Sequence, residues 1–146
     1  MQIRKMLISD YENVYNLWLN TPGMGLNTTD DTKIGIERYL RRNPNTCFVA
    51  EKDNGIIGVI LSGHDGRRGL IYHLAVKISE REQGVGSTLL GHALDALKEE
   101  GISKVYLTIF KNNNSGNAYW EKRGFTIPAE TVYRAKEIVP IEHIDI

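Results

Sequence analysis

The chain has 146 residues, 41% of them hydrophobic and 25% charged, with 18 Lys plus Arg against 18 Asp plus Glu and a formal net charge of zero. That length predicts one domain over residues 1–146, large enough to bury its own core, and the balanced composition argues against disorder and against a general nucleic-acid binder. The single cysteine, Cys47, cannot form an internal disulfide, and no Cys/His cluster has zinc-ligand spacing. No apolar run reaches the roughly 18 residues of a membrane span, and the start MQIRKMLISD lacks an apolar signal-peptide core. A cytoplasmic protein with no metal, nucleic-acid or membrane partner is expected.

Residues 1–7 (MQIRKML) alternate weakly and predict a first strand. Ser9-Asp10-Tyr11-Glu12 reads as a capping box, opening a helix that carries Val14, Leu17 and Trp18 to about Asn20. Thr21-Pro22-Gly23 stops it, and residues 22–32 form a loop in which Asp30 and Asp31 read as a helix cap. A second helix covers 33–42, burying Ile36, Tyr39 and Leu40 and leaving Arg38, Arg41 and Arg42 on a solvated face. Residues 46–51 and 56–61 are strands, joined by a hairpin at Asp53-Asn54-Gly55. Residues 62–69 (SGHDGRRG) form a second turn, and 70–76 (LIYHLAV) read as a central, mostly apolar strand. A long helix follows over 85–100, with Val85, Leu89, Leu90, Ala93, Leu94 and Leu97 in one stripe and Gly101 as its stop. Residues 104–110 form a strand and 115–123 a short helix; a strand then leaves Gly124-Phe125, and 131–139 make the last one. The order predicts a mixed α/β sheet with helices on both faces.

Arg81-Glu82-Gln83-Gly84-Val85-Gly86-Ser87 joins a buried strand to that long helix. The first amides of a helix have no internal partners, and its dipole places about half a positive charge at that end. Gly84 and Gly86 carry no Cβ, so a phosphate or pyrophosphate can approach the backbone, with Arg81 adding a charge-assisted contact. A tight turn using glycine for geometry alone is the competing reading. A dinucleotide fingerprint fits poorly, because Leu89 stands where its third glycine belongs, and no Gly-Lys-Ser/Thr follows to make a P-loop.

Leu74-Ala75-Val76 followed by Arg81-x-x-Gly84-x-Gly86 resembles the acyl-CoA motif of the GNAT superfamily of N-acetyltransferases. Asn113-x-x-Gly116-x-x-x-Trp120-x-x-x-Gly124-Phe125 is similar to that superfamily's second motif, usually Asn-x-x-Ala-x-x-x-Tyr-x-x-x-Gly-Phe. The resemblance includes a bacterial subgroup with a Gly-x-Asp-Gly-x-Arg-Gly loop, here residues 63–69. It implies a central, mostly antiparallel sheet and direct transfer of acetyl from acetyl-CoA, without metal, to a primary amine of a small molecule or peptide. It implies that Leu74, Val76 and Ile78 line the pantetheine arm and that Arg81, Gln83, Gly84, Val85, Gly86 and Ser87 hold the pyrophosphate. Asn113 and Trp120 fall on the donor side.

Trp120 occupies the place of the tyrosine that commonly reprotonates the CoA thiolate. An indole N–H donates a hydrogen bond but has no useful acidity. Tyr119, about 100° away around the helix, or solvent is then the acid. This departure motivates an alternative, an acyl-CoA-binding sensor or regulatory module without turnover; a dinucleotide-binding oxidoreductase is a third reading.

His73, just before Leu-Ala-Val, is the candidate base, directly or through water; otherwise it is a packed, hydrogen-bonded strand histidine. Tyr72 is expected to face the opposite way and either lines the acceptor pocket or packs in the core. Asp65 and Arg68 are candidate acceptor ligands, the carboxylate for an ammonium and the arginines for a carboxylate or phosphate. The competing reading is a type I′ turn at Asp65-Gly66 with solvated arginines. Trp18 and Met24 either wall the acceptor cleft or pack internally, and Cys47 is expected to be buried and inert.

Overall fold

The computed structural model describes residues 1–145. Strands β1 (Gln2–Lys5), β2 (Phe48–Lys52), β3 (Gly55–His64), β4 (Gly69–Val76) and β5 (Val105–Tyr106) form one sheet in that spatial order. The first four are antiparallel neighbours and β5 runs parallel to β4. Helices α1 (Tyr11–Leu19), α2 (Lys33–Arg42), α3 (Val85–Glu99) and α4 (Asn114–Lys122) complete the mixed α/β fold.

Strand alternation divides the core in two. Val49, Val59, Leu61 and Ala75 meet Val14, Leu17 and Trp18 of α1 and Ile36 and Leu40 of α2. Ala50, Ile57, Ile60 and Ile71 meet Val85, Leu89, Leu90 and Ala93 of α3, with Trp120 and Phe125 packed at the edge. The α3 stripe read from the sequence is the buried face, and Trp18 and Cys47 are fully enclosed. Burial pushes the Cys47 thiol up to about 12, which keeps it protonated and unreactive. The β2–β3 turn has positive φ at Asp53 and Asn54, the two central residues of a type I′ hairpin.

Two expectations about the N-terminal half are corrected. No Ser9 capping box forms: Ile8–Asp10 is a short 3-10 turn, and the Asp10 carboxylate accepts from the Leu7 amide at 2.8 Å, while Glu12 pairs with Lys33 across to α2. Thr32, not Asp30 or Asp31, caps α2, its hydroxyl accepting from the Gly35 amide at 3.0 Å. Asp10 is also gripped by both Nη atoms of Arg4 at 2.8 Å, and Arg4 Nε reaches Glu51 at 2.7 Å. Desolvation pushes the Asp10 carboxyl upward, but Arg4 and the Leu7 amide outweigh it and hold it below its ordinary value. A carboxyl depressed in the folded state contributes stability above its unfolded pKa and loses it as pH falls through the folded one. Asp10→Asn is expected to cost about 1.5–3 kcal/mol at neutral pH. Urea melts at neutral and acid pH should show the deficit shrinking as the medium is acidified.

The C-terminal strands do not form. The segment leaving Phe125 and the stretch 131–139 carry no ladder pairing among the described residues. β5 is only two residues long and offers no extended edge to pair with, and TVYRAKEIV has no buried side: Val132 is 79% and Ile138 94% exposed. The chain end docks instead on the α1–α2 loop, where the Thr28 amide donates to the Glu142 carbonyl and the Ile144 amide to the Leu26 carbonyl.

Candidate active site

β4 and β5 are joined only at Gly69–Val105 and Leu70–Tyr106. Past that point they separate, so the β5-facing edge of β4 from Ile71 to Val76 has no strand partner among the described residues. An open strand edge offers amides and carbonyls to an extended ligand. Its end is touched by one side chain: Arg81 Nε donates to the Val76 carbonyl at 3.2 Å.

At the mouth of this gap stands the N-terminus of α3. Gly84 takes φ +80°, a left-handed turn that glycine adopts without strain, and no side chain caps the helix. A Cβ at Gly84 would meet nothing within 4 Å, so the backbone there borders open space. The Ser87 hydroxyl accepts from Arg123 Nη2 at 2.7 Å, and the Arg123 guanidinium lies 3.5 Å over the Tyr119 ring. Arg123 was not singled out in the sequence; its proximity to α3 comes from the α4 packing, and its only local sign is a basic residue just before Gly-Phe.

α4 brings Tyr119 to this mouth and turns Trp120 inward. A Cβ on Gly86 would lie 3.1 Å from the Tyr119 hydroxyl and 3.6 Å from a Val76 methyl. That hydroxyl is buried and has no hydrogen-bond partner. Trp120 makes an edge contact with Phe125 at 5.0 Å between centroids and packs on the α3-side core, as does half-buried Leu74. Asn113 caps α4, its Oδ1 accepting from the Gly116 amide at 2.9 Å. A Cβ at Gly116 would lie 2.6 Å from Asn113 Nδ2 and from Ile109, which explains glycine where the second motif usually has alanine. Ile78 is exposed on a 3-10 turn (Ile78–Glu80) beyond β4, and Gln83 is exposed beside Gly84.

The other face of β4 holds a second cluster. The β3–β4 register slips between Leu61–Tyr72 and Val59–Ala75, which makes His73-Leu74 a bulge, with His73 at φ +50°. A bulge re-aims side chains. Tyr72 and His73 consequently lie on the same side, rings 6.2 Å apart, rather than on opposite sides as strict alternation predicts. His73 Nε2 meets Asp31 Oδ1 at 2.8 Å, with side-chain exposures of 13% and 4%. Asp31 Oδ2 accepts from the Asn27 amide at 2.9 Å. Trp18 closes the cluster, its ring 4.9 Å from His73 and its N–H donating to the His73 carbonyl at 3.3 Å. A carboxylate can only accept, so Nε2 carries a hydrogen, and in the neutral ring Nδ1 is the nitrogen with the lone pair. The sequence predicts a helix cap at Asp31; its pairing with a residue 42 positions away has no local sequence signal.

The hairpin residues sit at the far end of that face. Asp65 Oδ1 accepts from the Arg67 and Arg68 amides, both at 2.8 Å, which ties it to the turn. Only Gly66 there has positive φ, so the turn is not the expected type I′. Arg68 is half-buried and Tyr72 leans edge-on against Tyr39 at 5.8 Å.

The unpaired part of the β4 edge thus lies beside an uncapped, glycine-led helix start. The sequence model of the "Acetyltransferase (GNAT) family" matches residues 11–125. This chain belongs to the GNAT acetyltransferase family. It is 31% identical over 122 residues to an acetyltransferase of Pectobacterium atrosepticum, covering 84% of this chain and 85% of that one. It is 32% identical over 119 residues to an acetyltransferase of Photorhabdus laumondii, covering 79% of each. Among solved structures it is similar to Ard1 from Thermoplasma volcanium, with TM-score 0.75 and 25% identity over 88% of this chain and 84% of that one. The PaiA N-acetyltransferase of Thermoplasma acidophilum, solved in complex with coenzyme A, shares the fold, with TM-score 0.72 and 20% identity over 87% of this chain and 90% of that one. The chain is therefore an acetyltransferase, and both the non-catalytic sensor and the dinucleotide-dependent oxidoreductase give way to a GNAT enzyme. Among the described residues no helix is long and apolar enough to cross a membrane.

Proposed function

We propose that this GNAT acetyltransferase moves an acetyl group from acetyl-CoA directly to a primary amine, using the β4–β5 gap for the donor and the His73 side of β4 for the acceptor. The observation that carries this reading is the unpaired β4 edge running into the uncapped start of α3. The edge suits an amide-bearing pantetheine arm, and the α3 amides, with Arg81 and Arg123 beside them, suit a pyrophosphate. Arg81 gives up the Val76 carbonyl when the donor takes it and turns to the phosphates.

Acetyl-CoA supplies an activated thioester. A lysine-like amine has pKa about 10.4, so freeing its lone pair at pH 7 costs about 4–5 kcal/mol. His73 Nδ1 takes that proton, directly or through one water, while Asp31 holds the ring in its tautomer. The amine nitrogen bonds to the carbonyl carbon and sheds its second proton to solvent, the C–S bond breaks, and the departing thiolate must take up a proton. Trp120 is packed inward and has no acidic hydrogen. The Tyr119 hydroxyl, buried and unpartnered near Val76, is the group that returns it.

A thiol-release assay over an amine and peptide panel tests the whole reading: CoA release must depend on an added amine. Tyr119→Phe should lower kcat by about tenfold or more while leaving the KM for acetyl-CoA nearly unchanged. A smaller effect transfers the role to water, because a thiol with pKa about 8.5 protonates readily near neutral pH. Trp120→Phe should change melting temperature more than donor affinity.

A further inference from the structure

We infer that the cleft beneath the β3–β4 hairpin docks an oxyanion, a carboxylate or phosphate, carried by the acceptor at the end remote from its amine. The inference rests on the acetyl-transfer reading above and names the acceptor class for that same site. The cleft has a volume of about 230 Å³. Its floor is Leu70 and Tyr72 of β4 and Tyr106 of β5, which are 37%, 40% and 43% exposed. These three large side chains leave the cleft an apolar floor that a ligand can cover. The rim carries Arg42, from the last turn of α2, and Arg68, from the hairpin.

Charge decides what binds. Neither guanidinium is among the ion pairs of the described residues. The one carboxylate on the cleft, Asp65, is tied by Oδ1 to two turn amides, and His64 is already paired with Glu100 at 2.8 Å. Asp65 keeps its negative charge, and Arg68 Nη1 donates to the Arg67 carbonyl at 3.1 Å, but neither guanidinium has a carboxylate partner among the described residues. The cleft therefore carries two arginines against one carboxylate, and both arginines are of the planar donor type that suits carboxylate and phosphate oxygens.

The cleft wall also holds a sealed hydroxyl. The Tyr39 hydroxyl is buried without a hydrogen-bond partner, and burial raises its pKa, so it stays protonated and able to donate. Gly63 makes room for it: a Cβ there would collide with both the Tyr39 hydroxyl and the Asn43 amide. Buried polar hydrogens without partners are uncommon and call for an explanation.

The same charges orient the acceptor. Two arginines repel an ammonium, while Asp31 and His73 lie further along the same face of β4. Tyr72 bridges the two ends, 5.8 Å from the Tyr39 ring and 6.2 Å from the His73 ring. An acceptor with an apolar or aromatic body over Tyr72 thus presents its amine to His73 and its oxyanion to Arg42 and Arg68.

Three matched phenethylamines test this, bearing a para-carboxylate, a para-phosphate ester or a neutral para-carboxamide. The charged pair should exceed the carboxamide in kcat/KM by about tenfold or more, and the ratio should fall toward one in Arg68→Met and in Arg42→Met. Arg68→Lys should keep part of it. Whichever charged acceptor leads identifies the source of the oxyanion. A wild-type ratio near one, or a ratio preserved in both methionine variants, overturns the inference. If no amine is acetylated, the acetyl-transfer reading fails on its own. Equilibrium binding of the para-carboxylate against the carboxamide, followed by tyrosine fluorescence, then still decides: equal binding, or none, overturns the oxyanion site.

Discussion

Replacing His73 by asparagine is expected to lower kcat/KM for amine acetylation by about 10²–10⁴, the range a positioned general base supplies. Asparagine is the informative substitution because the residue sits at φ +50° inside the bulge. Asn tolerates left-handed backbone better than most side chains, so the strand geometry survives while the proton acceptor is lost. A positive φ at a half-buried histidine costs free energy, and here it is held by the Asp31 contact and the Trp18 ring. Retained activity within about threefold would transfer the base role to water or the acceptor itself.

Asp31→Asn separates positioning from packing. Asp31 accepts on both oxygens, from the Asn27 amide and from His73 Nε2. An amide has one acceptor and one donor end. If its oxygen faces His73, its NH2 opposes the Asn27 N–H; if its oxygen faces Asn27, its NH2 forces the proton of His73 onto Nδ1. Either arrangement disturbs the pair, and the second removes the lone pair that takes the proton. We expect kcat to fall by about tenfold or more with the KM for acetyl-CoA preserved. A loss of melting temperature with kcat intact would assign Asp31 to structure alone.

The legible parts of this molecule are those written in local spacing. The α3 stripe, Gly84 and Gly86 before it, and Asp53-Asn54-Gly55 between β2 and β3 each carry their geometry in a few adjacent residues. The bulge at His73-Leu74 does not, because histidine has no strong preference for positive φ and the register slip is set by how β3 and β4 pack. Asp31 looked like a cap because two acids precede a helix; Thr32 took that role, and tertiary packing buried Asp31 against a strand far away in sequence. The stretch 131–139 has strand-like residues but no partner edge, and β propensity needs a pleated, half-buried surface to act on.

Gly86→Asp is expected to weaken acetyl-CoA binding by about a hundredfold or more, since an uncompensated like charge against the pyrophosphate costs several kcal/mol. The same change should not unfold the protein. Gly86 is the second residue of α3, where a carboxylate complements the helix dipole by about 0.3–1 kcal/mol, and replacing a helical glycine removes a further entropic cost. Against this stands the contact at 3.1 Å between the new Cβ and the Tyr119 hydroxyl, which must shift by a few tenths of an ångström. That hydroxyl has no hydrogen bond to break, and its ring lies under Arg123 and edge-on to Trp120. The melting temperature should therefore stay level or rise while calorimetry shows donor affinity lost. Gly86→Ala supplies the Cβ without the charge, so its donor affinity should drop only a few-fold. Equal losses in the two variants would mean that space at the Tyr119 contact, rather than charge at the start of α3, governs the donor site.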